Sequence, residues 1–137
     1  MNEQTDREML ELAAKAAGYK LIGYAVTYHD FYWNGPDWGL IVDEVNGVWN
    51  PLEDDGDALW LAVKLDIQVF QDQEEDGPAA CAGYWGKPWR RDVSRLFIVE
   101  TYASSANKGS PHAATRRAIV RAAAEIAIAA ADAGGAV

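Results

Sequence analysis

The sequence predicts an α+β domain in which helices cover a single, mostly antiparallel sheet, with elements in the order α-β-β-β-α-β-β-β-α. First, residues 6–17, 54–65 and 111–131 repeat apolar residues at helical spacing behind capping residues. Second, the stretches between them are rich in β-branched and aromatic residues and are divided by Gly and Pro. Third, 137 residues, of which 50% are hydrophobic and 24% charged, suit one domain spanning the whole chain. We expect its core within residues 6–131, a frayed Ala/Gly tail at 132–137, and a strand count that is open by one.

The two terminal helices are predicted from their caps. Thr5, with Glu8 three residues later, forms a capping-box pattern. Ser110 is followed by Pro111, which suits an N-cap with proline at the first helical position. The last helix has a core face of small and apolar residues, with arginines off that face at the predicted surface: Thr115, Ile119, Ala122, Ile126 and Ala129 on the face, and Arg116, Arg117 and Arg121 off it.

Strands and turns occupy the rest of the chain. Asn46-Gly47 lies between two short apolar runs and predicts a two-residue type I′ hairpin turn, with positive φ at both residues. Asp55 or Asp57 is expected to cap the middle helix. An acidic loop is expected at 71–78, closed by Gly and Pro. The predicted strands are part of 20–31, then 39–43, 48–49, 67–70, 79–84 and 95–103.

Charge is unevenly distributed along the chain and argues against nucleic acid as a ligand. The net charge is −9; residues 1–76 hold 17 acidic and 4 basic residues, whereas residues 77–137 hold 4 and 8. Phosphate backbones are bound by concentrated Lys and Arg, so the acidic half does not suit DNA or RNA. No apolar run approaches the roughly 18 residues of a membrane span, and residues 1–10 do not resemble a secretory signal. Together with the single cysteine, this predicts a reducing cytoplasm and no disulfide.

No familiar catalytic motif is present, and the sequence predicts neither an enzyme nor a cofactor. There is no phosphate-binding glycine loop, no nucleophile elbow and no HExxH zinc motif. His29 and His112 are expected at the surface or in structural positions, and Cys81 as a buried, inert thiol. The acidic clusters at 53–57 and 72–76 are interpreted as helix capping and loop solvation, with no metal site.

Aromatic residues supply the candidate binding surface. Six Trp and six Tyr are present, many of them crowded around two Gly/Pro-containing segments. Aromatic and arginine side chains on loops are typical of binding surfaces, although rings that cap the ends of a small core give the same pattern. Both explanations stay open. The candidate contact residues are Trp33, Trp38, Trp85, Trp89, Arg90 and Arg91, of which the last three are the most exposed in the prediction.

The N-terminal helix, the middle segment 49–65 and the terminal segment 112–126 together resemble the phage ABA sandwich domain family, a group of small phage and prophage proteins, over roughly residues 6–128. The motifs that carry the resemblance are Trp49-Asn50-Pro51 leading to Asp54-Asp55 and Ala58-Leu59, and the terminal segment 114–119. The resemblance implies helices on both faces of one sheet, an accessory gene expressed in a bacterial cytoplasm, and no shared catalytic residues. In such proteins a polar residue often takes the place of Trp60, which implies an exposed aromatic there.

These observations lead to three hypotheses of function, with the oligomeric state left open. The first is a non-enzymatic phage accessory protein that binds a host or phage protein; its most specific form is an inhibitor of a host defence system such as a CRISPR surveillance complex, with an acidic surface occupying a nucleic-acid site. The second is a small-molecule binder of nucleotide-like ligands, in which Trp85 and Trp89 stack and Arg90 and Arg91 pair with phosphate. The third is a hydrolase or transferase that depends on His29 or Asp30.

Overall fold

The described residues form three helices and five strands, which confirms the α+β class. The computed structural model describes residues 5–26, 36–86 and 94–133. In chain order the elements are α1 (Asp6–Ala16), β1 (Leu21–Val26), β2 (Trp38–Val42), α2 (Asp55–Leu65), β3 (Gln68–Glu74), β4 (Gly77–Tyr84), β5 (Leu96–Thr101) and α3 (Pro111–Asp132).

The described strands form two antiparallel sheets, β1-β2 and β3-β4-β5, so the predicted single sheet and its ABA layering are not confirmed. The second edge of β2 is occupied locally: Leu40 and Trp49 form an antiparallel bridge with hydrogen bonds of 3.0 and 2.8 Å. The approach is close, because a Cβ on Gly39 would lie 2.5 Å from the Trp49 carbonyl oxygen. The chain then turns away into α2 before the second sheet begins.

Helix α3 packs against both other described helices and against the three-stranded sheet. It contacts α1 and α2, and also β4 and β5 of the three-stranded sheet. Ile119, Val120 and Ile126 are buried on it, as predicted for the two isoleucines. Ala80 and Ala82 of β4 are fully buried, and their small side chains allow the helix to lie close to the sheet.

The helix caps are confirmed at both ends of the chain and corrected in the middle. The Thr5 hydroxyl accepts from the Glu8 N–H at 3.1 Å, and the Ser110 hydroxyl accepts from the Ala113 N–H at 3.1 Å. Helix α2 is capped by Asp54, and neither of the predicted residues Asp55 and Asp57 takes that position. The Asp54 carboxylate accepts from the Asp57 N–H at 2.8 Å, the i to i+3 geometry of an N-cap.

The predicted type I′ turn at Asn46-Gly47 is wrong. Gly47 has φ of +79°, but Asn46 is not among the described non-glycine residues with positive φ, so only half of the type I′ signature is present. The backbone pairs across this turn at the Leu40–Trp49 bridge, not directly on either side of Asn46-Gly47. The predicted strand at 48–49 is therefore reduced to this one bridge.

A tight hairpin lies at 75–76 instead, within the predicted acidic loop. Strands β3 and β4 pair in continuous register from Gln68–Gly83 to Glu74–Gly77. The residues at 71–74 and 77–78 thus belong to strands. Their acidic side chains lie on an edge strand that is largely exposed, where charge is easily solvated.

Asn50 links the β2 region to α2 and gives the Trp-Asn-Pro segment a structural role. It is fully buried; its Nδ2 donates to the Trp38 carbonyl, and its Oδ1 accepts from the Leu52 N–H, both at 2.9 Å. Its own N–H donates to Oδ2 of Asp57 at 2.9 Å. Burial raises the pKa of Asp57 to about 6; the hydrogen bond from Asn50 opposes this rise, and the nearby Asp54 carboxylate adds to it.

The arginines of α3 are tied to other elements, which corrects the prediction of a plain surface row. Arg116 donates to Asp55 at 2.7 Å and to the Leu52 carbonyl at 2.8 Å. Arg117 pairs with Asp6 of α1 at 3.1 Å. Arg117 and Arg121 both face the buried Glu100 carboxylate, so the three arginines link α3 to α1, α2 and β5.

Within the described residues, no helix has both the length and the apolar composition that crossing a bilayer requires.

Candidate functional site

The face of the three-stranded sheet that points away from α3 carries a cluster of exposed rings. Side chains alternate along a strand, so Ala80, Ala82 and Ile98, which lie in the core, leave their neighbours on the opposite side. Phe70 lies directly across from Cys81 there, and the same face continues to Phe97. We call this side the outer face.

Phe70, Phe97 and Trp85 form one aromatic cluster on the outer face. The ring centroids of Phe70 and Phe97 lie 5.8 Å apart, and Trp85 stacks on Phe97 at 6.4 Å with an interplanar angle of 27°. These separations fall in the range of favourable aromatic pairs. The three residues are 39%, 48% and 45% exposed in the order Phe70, Phe97, Trp85, so the cluster presents rings to solvent while holding its own geometry.

Small residues of β4 form the floor of this cluster. A Cβ on Gly83 would lie 2.9 Å from Cζ2 of Trp85, so the indole rests directly on the glycine backbone. Cys81 is fully buried between the neighbouring strands. Because no bulky side chain rises from β4 at these positions, rings from both sides of the strand can approach each other.

Only part of the predicted contact surface lies in the described residues. Trp85 is exposed and belongs to the aromatic cluster. Trp38 lies elsewhere: it is half-buried, contacts the Tyr24 ring at 6.5 Å and packs against the core, so it takes the structural alternative. The other candidates, Trp33, Trp89, Arg90 and Arg91, lie outside the described residues, as does His29.

The two phenylalanines were missed in the sequence because their proximity depends on strand register. Phe70 and Phe97 lie on β3 and β5 and meet across β4. A signal did exist: each occupies an alternate position in a strand whose neighbouring position faces the core. Without the pairing of β4 with both strands, that alternation does not bring the rings together.

Next to the cluster, the outer face holds a group of potential metal ligands. One ligand atom each from Asp72, Glu74 and Cys81 lies within 4.8 Å of the others. Burial raises the pKa of the Cys81 thiol, and the carboxylates of Glu74 and Asp72 raise it further. The thiol is therefore protonated at neutral pH, consistent with the predicted unreactive character of a buried cysteine.

A second exposed apolar area lies on α2. Leu59, Trp60 and Val63 recur at helical spacing and are more than half exposed, with Trp60 at 69% as the sequence resemblance implied. Trp60 makes no ring contact with another described residue that would hold it in place.

A cleft of about 400 Å³ lies between α2, α3 and β3. Its walls include Ala58, Ala62, Val69 and Ile119, and its rim carries polar groups. Those rim groups are already paired: Arg116 with Asp55, Gln71 Nε2 with the Thr115 hydroxyl at 3.1 Å, and the Tyr102 hydroxyl with Gln71 Oε1. His112 also lines the cleft and is exposed in the first turn of α3.

The chain matches no family model, no curated protein and no solved structure. The resemblance to the phage ABA sandwich family therefore stays a prediction. The case for a function comes from the chain's own residues.

Proposed function

We propose that the protein is a non-enzymatic binding protein whose aromatic cluster on the outer face contacts another protein. The observation that supports this most directly is the exposure of three rings in mutual contact on a sheet face. Exposed aromatic clusters of this kind are enriched at the centres of protein interfaces, where they lose little conformational entropy on binding.

The size of the cluster favours a limited contact centred on it. An aromatic side chain presents about 200 Å² in all, so three rings that are 39–48% exposed offer about 250 Å². A standard interface buries about 800 Å² on each partner, so the cluster forms the central part and a polar rim must supply the rest.

The acidic residues beside the cluster favour a partner of basic character. Asp72 and Glu74 lie beside the cluster on β3, Glu75 and Asp76 follow in the turn, and the chain has a net charge of −9. The complementary surface is therefore an apolar pocket rimmed by Lys and Arg. The more specific form of the proposal, a phage accessory protein that inhibits a host defence complex by occupying a basic site, is supported by this acidity and by the sequence resemblance alone.

The test compares two tryptophan variants. Trp85→Ala removes a ring of the cluster, and Trp60→Ala removes a more exposed ring from α2. A protein enriched from bacterial lysate by the wild type is purified and titrated calorimetrically against all three chains. We expect Trp85→Ala to weaken binding about 30-fold, the effect of a loss of about 2 kcal/mol at an interface centre, and Trp60→Ala to leave it within about threefold.

Two results contradict the proposal. One is a partner whose affinity falls with Trp60→Ala and not with Trp85→Ala, which places the contact on α2. The other is a wild-type chain that sediments as a dimer and becomes monomeric on Trp85→Ala, because the cluster is then covered by a second copy. Retention of the melting temperature of both variants within a few degrees checks that the fold is intact.

The cleft supports a second candidate function, binding of a small apolar molecule. Its walls include the aliphatic side chains of Ala62, Val69 and Ile119, and Arg116, which also lines it, is held by Asp55 and the Leu52 carbonyl. This favours a compact apolar ring over the nucleotide-like ligand that the sequence suggested. A thermal-shift series of indole, naphthalene sulfonate and nucleoside monophosphates tests it; an Ala62→Phe variant, which fills the cleft, should abolish any shift.

A further inference from the structure

We propose that Asp72, Glu74 and Cys81 form a binding site for a divalent transition metal ion of the zinc class. The three candidate ligand atoms, two carboxylate oxygens and one sulfur, lie within 4.8 Å of one another. They come from adjacent strands: Asp72 and Glu74 are two residues apart on β3, and Cys81 is on β4. Residues two apart on a strand point the same way, so all three share the outer face.

The strand register keeps the space between these ligands free of bulky side chains. Asp72 lies across from Ala79, and Glu74 lies across from Gly77. Nothing larger than a methyl group therefore separates the two carboxylates from the sulfur along β4. Ligands placed about 2.0–2.3 Å from a zinc ion lie about 3.3–4 Å from one another, so closure requires small rotations of the Asp72 and Glu74 side chains.

The two carboxylates of the group are not balanced by a basic side chain of the described residues. Among the described residues, no lysine or arginine forms an ion pair with Asp72 or Glu74. Cys81 is fully buried, has no hydrogen-bond partner among the described residues, and directs its sulfur toward the two carboxylates. The sulfur and the two carboxylate oxygens therefore lie close enough together for one metal ion to contact all three once it displaces the thiol proton.

The donor set selects the class of metal. Calcium and magnesium take oxygen ligands and do not favour sulfur, whereas zinc accepts thiolate and carboxylate together. Binding exchanges the thiol proton for the metal: the S–H bond breaks, a zinc–sulfur bond forms, and the proton passes to solvent. Three protein ligands leave a fourth position for water.

Cobalt(II) serves as the probe because its bond to a thiolate gives a charge-transfer absorption in the near ultraviolet. The reduced, full-length chain is titrated with Co²⁺, and Zn²⁺ is then added. We expect a band that saturates at one ion per chain and disappears on addition of Zn²⁺. In weakly buffered solution at neutral pH, zinc binding should release the thiol proton, one per chain.

Variants distinguish a specific metal site from nonspecific attraction of Co²⁺ to an acidic surface. Asp72→Asn and Glu74→Gln should each weaken Co²⁺ binding about tenfold or more, while Glu75→Gln, with the same charge change in the adjacent turn, should stay within about twofold. Because Cys81 is buried and its replacement threatens the fold, the decision rests on these partly exposed carboxylates. The inference is overturned by the absence of a charge-transfer band, by a zinc titration that releases no proton, or by equal weakening in Glu75→Gln.

Discussion

Replacement of Asn50 by alanine tests whether the Trp-Asn-Pro segment fixes the path into α2. The side chain makes two hydrogen bonds inside the protein: Nδ2 donates to the Trp38 carbonyl and Oδ1 accepts from the Leu52 N–H, each at 2.9 Å. Alanine removes both partners at once. The site is fully buried, so water does not replace them unless the structure opens.

The expected cost follows from the two backbone groups left without a partner. A buried donor or acceptor without a hydrogen bond costs about 1–3 kcal/mol, so the two together predict about 3–5 kcal/mol once the small cavity is included. For a chain of this size the urea dependence is about 1.5 kcal/mol per molar, and the unfolding midpoint should fall by about 2–3 M. Tryptophan fluorescence in urea measures it, with exposed Asn46→Ala, expected within about 0.5 kcal/mol, as the control.

Asn50→Asp tests the same hydrogen bonds and is informative even if Asn50→Ala barely folds. Asn50→Asp retains an oxygen that can accept from Leu52, but it directs a carboxylate at the Trp38 carbonyl and adds charge beside Asp57. Its destabilisation should therefore decrease as the pH falls and the carboxyl becomes protonated. An Asn50→Ala midpoint within about 0.5 M of the wild type, or an Asn50→Asp penalty that does not change with pH, would show that these hydrogen bonds do not hold the segment.

Three further predictions concern the core and its charges. Ile126→Ala should cost about 2–4 kcal/mol by urea unfolding, because the side chain is fully buried on α3. Arg117→Ala should cost about 1–2 kcal/mol, more than a free surface arginine, because it weakens the pairing of the buried Glu100; equal cost in a Glu100→Gln background would refute the coupling. The folded-state pKa of Asp57 is raised from 3.8 to about 6, so its ionisation costs stability as the pH rises through that interval. The free energy of unfolding of Asp57→Asn should therefore rise relative to that of the wild type between about pH 4 and pH 7. The expected gain is about 1 kcal/mol after allowance for partial exposure, and urea midpoints at the two pH values measure it.

The helix boundaries could be predicted from the sequence because their signals are local. A cap needs only a hydroxyl or carboxylate and an N–H three residues later, as Thr5 and Ser110 show. In α2 the same local rule holds, but the cap is Asp54, whereas the sequence predicted Asp55 or Asp57. Which carboxylate takes the cap position depends on where the chain leaves Asn50. The exit at Asn50 depends on Trp38, twelve residues away.

The turn at Asn46-Gly47 could not be predicted because a distant contact overrides its local preference. A type I′ turn would make Asn46 and Gly47 a two-residue loop and would pair the residues on either side of it as a hairpin. In the structure β2 instead pairs fully with β1, from Leu21–Val42 to Val26–Trp38, and only Leu40 also reaches Trp49. The energy of one tight turn, about 1 kcal/mol, is small beside a ladder of backbone hydrogen bonds and a buried tryptophan.

The arginines of α3 show the limit of helical periodicity as evidence. The spacing placed Arg116 and Arg117 off the apolar face, and that is where they lie. Periodicity reports which side of a helix is apolar, but it does not report what else comes to rest against the polar side. Their partners Asp55 and Asp6 lie 61 and 111 positions away in the chain, so these pairs arise from the packing of three helices and are invisible in any one of them.

The aromatic cluster and the small residues of β4 explain each other. Ala80 and Ala82 are small on one face so that α3 can approach, whereas Cys81 and Gly83 on the outer face have no helix above them among the described residues. Without cover, the outer face of β4 would expose its backbone and the Cys81 thiol to water. Phe70 and Phe97 cover Cys81 from the neighbouring strands, and the Trp85 indole rests on Gly83. Each ring therefore covers the strand with one side and faces solvent with the other, which accounts for exposures near one half. A covering that leaves the second side of three rings free is also a contact surface held in place before any partner arrives, and such preorganisation lowers the entropic cost of binding.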